Sequence, residues 1–402
     1  MWEQIRSNQI KSVVLVAVMG ILLLAIGYVI GLYFFGSPLG GLIIALAVWA
    51  IMSLVAFFQG DSIFLGLARA KKIERDDHPR LYNIVEEMKI ASGLEKMPDI
   101  YIIDDPALNA FATGRDPNKA AVAITSGLLQ KLNRDELQGV IAHEIAHIKN
   151  RDVLLMTMIG ILLGTIVILS WYATRIMFFG GMMGGRRSSS GGGGYGQLII
   201  LIIGIVLMIL APIVAQFIYF AISRKREYLA DASSALYTRY PEGLASALEK
   251  LGASTSQLKS ANKATASMYI INPFRKKGMA ASDLSSTHPP ISERVRILRS
   301  MAGGASFLDY ESAYEQVHKG GKGVISASAI SATGAVGLRA AAPGMVGEEP
   351  GKVKRTRETS DLMWRSNNYK TIDCKCGTRL RIPPKFKAGN VRCPHCGRTY
   401  RV

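Results

Sequence analysis

The chain has 402 residues, 49% of them hydrophobic, and carries 48 Lys/Arg against 30 Asp/Glu, a formal charge of +18. That apolar content excludes a disordered chain, and the length allows two or three domains. All four cysteines fall after position 370, so no disulfide framework supports the main body, which suits a reducing compartment.

Most of the apolar content lies in four runs: Val13–Phe35, Leu39–Phe58, Val153–Tyr172 and Gln197–Ile222. Each is near the ~20 residues that a bilayer-crossing helix needs. The first has no small-residue cleavage site and is too long for a signal peptide, so it reads as an anchor. Arg6 and Lys11 precede it, Arg69, Lys71, Lys72 and Arg75 follow the second run, and the turn between the runs is uncharged. By the positive-inside rule, residues 60–152 are then cytoplasmic. The fourth run returns to that side at 223–226, although Arg175, Arg186 and Arg187 lie in the outer loop. The expected organisation is a membrane hairpin at 1–59 and a first catalytic half at 60–152. A second hairpin with a Gly-rich loop follows at 153–222, then a second catalytic half at 223–319. A flexible linker at 320–365 and a small ribbon at 366–402 complete the chain.

Within the first catalytic half, HPRLYNIVEEMKIASGL has an apolar stripe at Leu81, Ile84, Val85, Met88 and Ile90, the spacing of a helix. DIYIID reads as a strand, LNAFATGRDPNK as a strand with a Gly- and Pro-marked turn, and AAVAITSGLLQKL as a strand entering a helix. DELQGVIAHEIAHIKN follows, with apolar residues at Leu137, Val140, Ile141, Ile145 and Ile148, and with Asp135 placed to cap it or stabilise its start. This helix carries HEIAH at 143–147, which puts His143 and His147 one turn apart on one face. Zinc needs neutral nitrogen or oxygen donors in a tetrahedron, and a catalytic zinc keeps one position open for water. Glu227, in REYLAD at 226–231, can supply the third donor, and Glu144 can reach the water. The alternative is a buried helix with two hydrogen-bonded histidines. His78 and His318 have no metal-ligand spacing and read as structural. The two metal-binding segments adjoin the third and fourth apolar runs, so the metal is expected close to the membrane surface.

The Gly/Ser-rich stretch between the third and fourth runs reads as a flexible loop. Residues 320–360 have few large apolar groups and read as a linker. The tail then holds Cys374, Cys376, Cys393 and Cys396, with sixteen residues between the pairs. Thiolate pairs on glycine turns predict a structural zinc ribbon, although the first pair is C-x-C where C-x-x-C is usual. From 351 onward there are 14 Lys/Arg against 3 Asp/Glu, about +11 of the total charge. Aromatic residues are sparse there, so a solvated basic module near an anionic membrane is favoured over nucleic-acid binding.

Taken together, HPRLY, NAFATG, ITSGLL, HEIAHIKNRD, SRKREYLAD and HPPISER resemble the HtpX family of membrane zinc metallopeptidases, related to the CAAX prenyl proteases. The resemblance covers about the first 300 residues and omits the linker and ribbon. It implies an α-helical membrane protein with four transmembrane helices and an α+β, gluzincin-like cytoplasmic zinc-peptidase domain. It also implies multi-pass residence in the cell membrane, an active site on the cytoplasmic side, and endoproteolysis of misfolded or damaged membrane proteins as quality control under stress. Carried over by motif, His143, His147 and Glu227 hold a catalytic zinc and Glu144 is the base. Asp231 orients a ligand or pairs with Arg294, and His288 stabilises the transition state. Asn109, Ala110, Phe111, Ala112, Thr113 and Gly114 form the edge strand that receives a polypeptide substrate. The competing readings are a membrane adaptor with a structural zinc and a partner-binding ribbon, and a protease of prenylated peptides. Oligomeric state is not readable from the sequence.

Overall fold

In a computed structural model, residues 2–183, 224–259, 268–273, 288–301, 303–319, 323–340, 350–387 and 389–401 are described, with six isolated helical positions between 202 and 213. The Gly-rich loop and most of the fourth apolar run therefore lie outside the described residues.

The first two apolar runs form long helices, α1 (Trp2–Phe35) and α2 (Pro38–Leu67). Mean hydropathies of 3.0 over Ser12–Leu32 of α1 and 2.5 over α2 make both long and apolar enough to cross a membrane. They pack through glycines: an added Cβ at Gly27 would lie 2.4 Å from the Ala45 Cβ and 2.6 Å from the Gly41 carbonyl oxygen. Small residues of this kind let two backbones approach where lipid supplies no hydrophobic drive.

A four-stranded sheet follows, built from β1 (Lys71–Ile73), β2 (Asp99–Ile103), β3 (Ala110–Gly114) and β4 (Ala120–Thr125), in the order β1-β2-β4-β3. β2 and β4 run parallel, and β3 is antiparallel to β4 on the outside. On the sheet lie α3 (Pro79–Ser92), the short α4 (Ser126–Lys131) and α5 (Arg134–Lys149), which carries HEIAH. All five apolar positions read from the α5 sequence are buried with no solvent exposure. Its N-terminus is closed by a capping box between Asn133 and Glu136. Asp135 lies in the first turn and pairs with Arg339 at 2.7 Å, so it stabilises the helix start without being its cap. In α3, Leu81, Ile84, Val85 and Met88 are buried, whereas Ile90 is 69% exposed, off the stripe. His78 caps α3 by accepting the Leu81 N–H on Nδ1 at 3.1 Å.

The third apolar run lies in α6 (Asp152–Met183). The chain resumes as a helix at 224–238, here α7, and continues through α8 (Pro241–Ala253), α9 (Ile291–Arg299) and α10 (Phe307–His318).

Composition predicts a flexible linker at 320–365; its described parts, 323–340 and 350–365, are docked on the body. The Glu311 carboxylate accepts the N–H groups of Val324 and Ile325 at 2.9 and 3.0 Å. A short α11 (Ala327–Ala332) follows, and Arg339 then donates to Asp135 and Gln138 on α5 and to the Thr238 carbonyl. Helix α12 (Lys352–Ser366) buries Thr359, Leu362 and Met363 and packs on α4. The low count of large apolar residues is offset by carboxylate and guanidinium bonds to backbone, which composition does not register.

The tail forms two hairpins, β5 (Lys370–Asp373) with β6 (Arg379–Ile382) and β7 (Asn390–Arg392) with β8 (Thr399–Arg401).

Leu362→Ala lowers stability by roughly 2–4 kcal/mol, the cost of truncating a core leucine, read as a fall in the melting temperature of the detergent-solubilised protein; a loose linker would give no change. Burial, aided by the Arg80 charge, pushes His78 down from 6.5 to about 4. The unfolded chain therefore takes a proton between about 6.5 and about 4 that the folded chain refuses, and stability falls as pH drops through that window. His78→Asn keeps the cap and removes this loss, roughly 2–3 kcal/mol at the acid end, so its melting temperature varies less with pH there.

Candidate metal centre

His143 and His147 project from one face of α5, and Glu227 faces them from α7. The His143 and His147 Nε2 atoms lie 3.2 Å apart, and each lies 3.5 Å from an oxygen of Glu227. Tetrahedral zinc with bonds of ~2.0–2.1 Å sets its donors about 3.3 Å apart, so the three donors fit such an ion.

The far side of each ring is held by a carboxylate. His143 Nδ1 meets Asp231 at 3.0 Å and His147 Nδ1 meets Asp152 at 3.0 Å. With both Nδ1 atoms donating, two Nε2 lone pairs point at each other, an arrangement that only a positive charge between them relieves. Such carboxylate–histidine pairs orient metal ligands and raise their basicity. In the metal-free chain a proton supplies that charge: burial alone would lower the His143 pKa, but hydrogen bonds to Asp231 and Glu227 carry it up to about 9. A divalent ion bound by these donors would take the place of that proton. Burial would raise Glu227, yet the His143 hydrogen bond and the Arg294 charge hold its carboxyl well below the usual range.

Asp231 touches both a histidine and Arg294. It lies one turn after Glu227 on α7, meets His143, and is gripped by the fully buried Arg294 of α9 at 2.6 and 2.7 Å. Arg294 also approaches Glu227 at 3.4 Å and donates to the Ile270 carbonyl at 3.2 Å. The corresponding contact of Asp152 is not anticipated in the sequence, where this residue is only an acid at a helix start. Its one signal there is its place five residues after His147, at the first position of α6.

Glu144 is 1% exposed, and neither carboxylate oxygen has a hydrogen-bond partner among the described residues. Burial raises its pKa against the opposing pull of His143 and His147. It lines a cavity of about 20 Å³ with Ala112, His147, Glu227 and Met268, room for about one water molecule. His288 is buried, its Nε2 lying 3.9 Å from Glu227, and burial pushes it down to about 4, so it is neutral. It does not cap α9, whose N-cap is Pro290.

The expected substrate edge is partly occupied. β3 is the outer strand of the sheet, but the Ala110 carbonyl accepts the Ile270 N–H at 3.0 Å and Phe111 bridges Tyr269. The Asn109 side chain donates to the Ile271 carbonyl at 3.1 Å. Asn109, Ala110 and Phe111 therefore hold the chain's own segment, while Ala112, Thr113 and Gly114 continue the edge past Glu144.

In the tail, all four cysteine sulfurs lie within 4.8 Å of one another and none is in a disulfide. Gly377 and Gly397 turn the chain in the left-handed region (φ 83° and 76°) after each pair. Sulfur separations of 3.3–3.7 Å suit a tetrahedral thiolate site with bonds of ~2.3 Å. The shorter C-x-C spacing does not keep Cys376 out of the cluster.

Asp152→Asn and Asp231→Asn should each weaken metal retention roughly 10–100-fold, measured as zinc left after dialysis against graded chelator. Unchanged retention would remove both residues from the metal's support.

Similarity to known proteins agrees with this geometry. The sequence profile of Peptidase family M48 matches residues 75–302. A "Protease HtpX homolog" of Streptococcus mutans is 46% identical over 301 residues, covering 75% of this chain and all of the relative. One from Dictyoglomus turgidum is 43% identical over 310 residues, covering 77% of this chain and 98% of the relative. Among solved structures, S. mikatae Ste24p aligns with 73% of this chain and 66% of its own at 21% identity, with a TM-score of 0.35. A profile match over more than half the sequence, two relatives matched over nearly their whole length and a converged His–His–Glu donor set lead to one conclusion: this chain belongs to peptidase family M48.

Proposed function

We propose that the chain is a multi-pass membrane zinc endopeptidase that cleaves misfolded or damaged membrane proteins on the cytoplasmic side. The observation that carries the catalytic part is the pairing of three converged donors with a buried, unpartnered carboxylate, Glu144. A structural zinc is closed by four protein donors, and only three converge here among the described residues.

Zinc held by His143, His147 and Glu227 would acidify water and polarise a peptide carbonyl. Glu144, its pKa raised by burial, accepts a proton from the attacking water and passes it to the departing amine. His288, its ring bonded to the Tyr269 backbone and its Nε2 3.9 Å from Glu227, would stabilise the developing oxyanion when that nitrogen carries a proton. The substrate backbone adds along Ala112, Thr113 and Gly114, where main-chain pairing tolerates many sequences. That mode suits unfolded segments, which is the support for a quality-control role.

Four crossings are proposed, at α1, α2, α6 and the run at 197–222, with the basic flanks on the cytoplasmic side. The tail cysteines are proposed to hold a second, structural zinc. No observation favours the adaptor reading or the prenylated-peptide reading over this one.

Glu144→Gln keeps the zinc and the fold but lowers casein hydrolysis by at least ~10²-fold, the contribution of a positioned base. Chelation abolishes the parent's activity and zinc restores it. Casein hydrolysis at the parental rate after Glu144→Gln would remove Glu144 from the mechanism.

A further inference from the structure

Between α1, α2 and α6 lies a groove of about 730 Å³ that plays no part in the chemistry above. Ala17, Leu24, Trp49 and Met158 give it an apolar wall, and Gln9 and Arg151 line it near the start of α6. From Gln9 to Leu24 it follows α1 for about 22 Å at ~1.5 Å per residue. One leaflet's hydrocarbon is about 15 Å deep, so the groove matches one acyl chain with its headgroup region.

Arg151 gives the groove a sign. It stands between α5 and α6 in the left-handed region (φ 57°). Its guanidinium has no hydrogen bond or ion pair among the described residues. A guanidinium with no partner among the described residues, at one end of an apolar groove, is complementary to an amphiphile with an anionic head, and a planar fork of donors suits a phosphate.

We propose that this groove is a binding site for an anionic phospholipid, with an acyl chain along α1 and the phosphate on Arg151. The proposal rests on the reading that α1, α2 and α6 cross the bilayer. A lipid there lies against Leu154 and Met158 of α6, on the same helix whose first residue, Asp152, meets His147. Occupancy would brace the junction that carries the metal ligand.

The test uses the full-length protein exchanged into equal phosphatidylglycerol and phosphatidylcholine, with retained lipid counted by native mass spectrometry. The parent should retain phosphatidylglycerol over phosphatidylcholine by roughly tenfold, the effect of one charge-assisted hydrogen bond. Arg151→Asn tolerates the left-handed backbone and should abolish the preference, whereas Arg151→Lys should keep most of it. Ala17→Trp, which fills the groove from an exposed position, should reduce retention of both lipids. Equal retention by the parent, an unchanged preference in Arg151→Asn, or unchanged retention in Ala17→Trp would each overturn the site. A chain that stays in solution without detergent would sink the membrane reading and this site together. A detergent-dependent chain with no lipid preference would sink this site alone.

Discussion

Everything at the candidate metal centre depends on one buried charge arrangement, the grip of Arg294 on Asp231. Both side chains have no solvent exposure, and their two bonds join α9 to α7 while the same carboxylate steadies His143 on α5. Helices from two distant stretches of sequence are thereby locked around the donors. Removing one partner of such a pair costs about 3–5 kcal/mol because the other charge is stranded. The pair also restrains the local negative charge: Glu144, Glu227, Asp231 and Asp152 crowd the histidines, and Arg294 leaves an excess that a divalent ion completes.

Much of this was legible in the sequence because it is local. HEIAH is helical by its apolar period, so the register of the two histidines follows from a 3.6-residue turn. Glu227 and Asp231 are likewise one turn apart, and the cysteine pairs carry their own glycine turns. What stayed hidden is tertiary. Asp152 looks like a charge at a helix start until the fold returns it to His147. The pairing of β3 with Tyr269 and Ile270 joins distant stretches of chain, and no periodicity announces it.

The region from 320 to 366 shows the same limit in another form. Its Gly, Ala and Ser content predicts looseness, yet three polar anchors decide the outcome: Glu311 on two amides, Arg339 on α5, and Lys71 on the end of α12 at 2.7 Å. Each replaces water at a backbone or charged group, so the described parts of the segment, 323–340 and 350–366, are held with little apolar burial. The cysteine module therefore begins from a fixed point on the body, beside Asp104 and β1.

The direct bond between His147 and the opening residue of α6 has a geometric consequence. With α6 anchored in a bilayer, the cutting point cannot drift: it is welded to the top of a post standing in lipid. Such an enzyme trims at a set altitude. Under the proposed function, the strands within its reach would be those lying slack at that height, and tightly folded or deeply sunken segments would pass untouched.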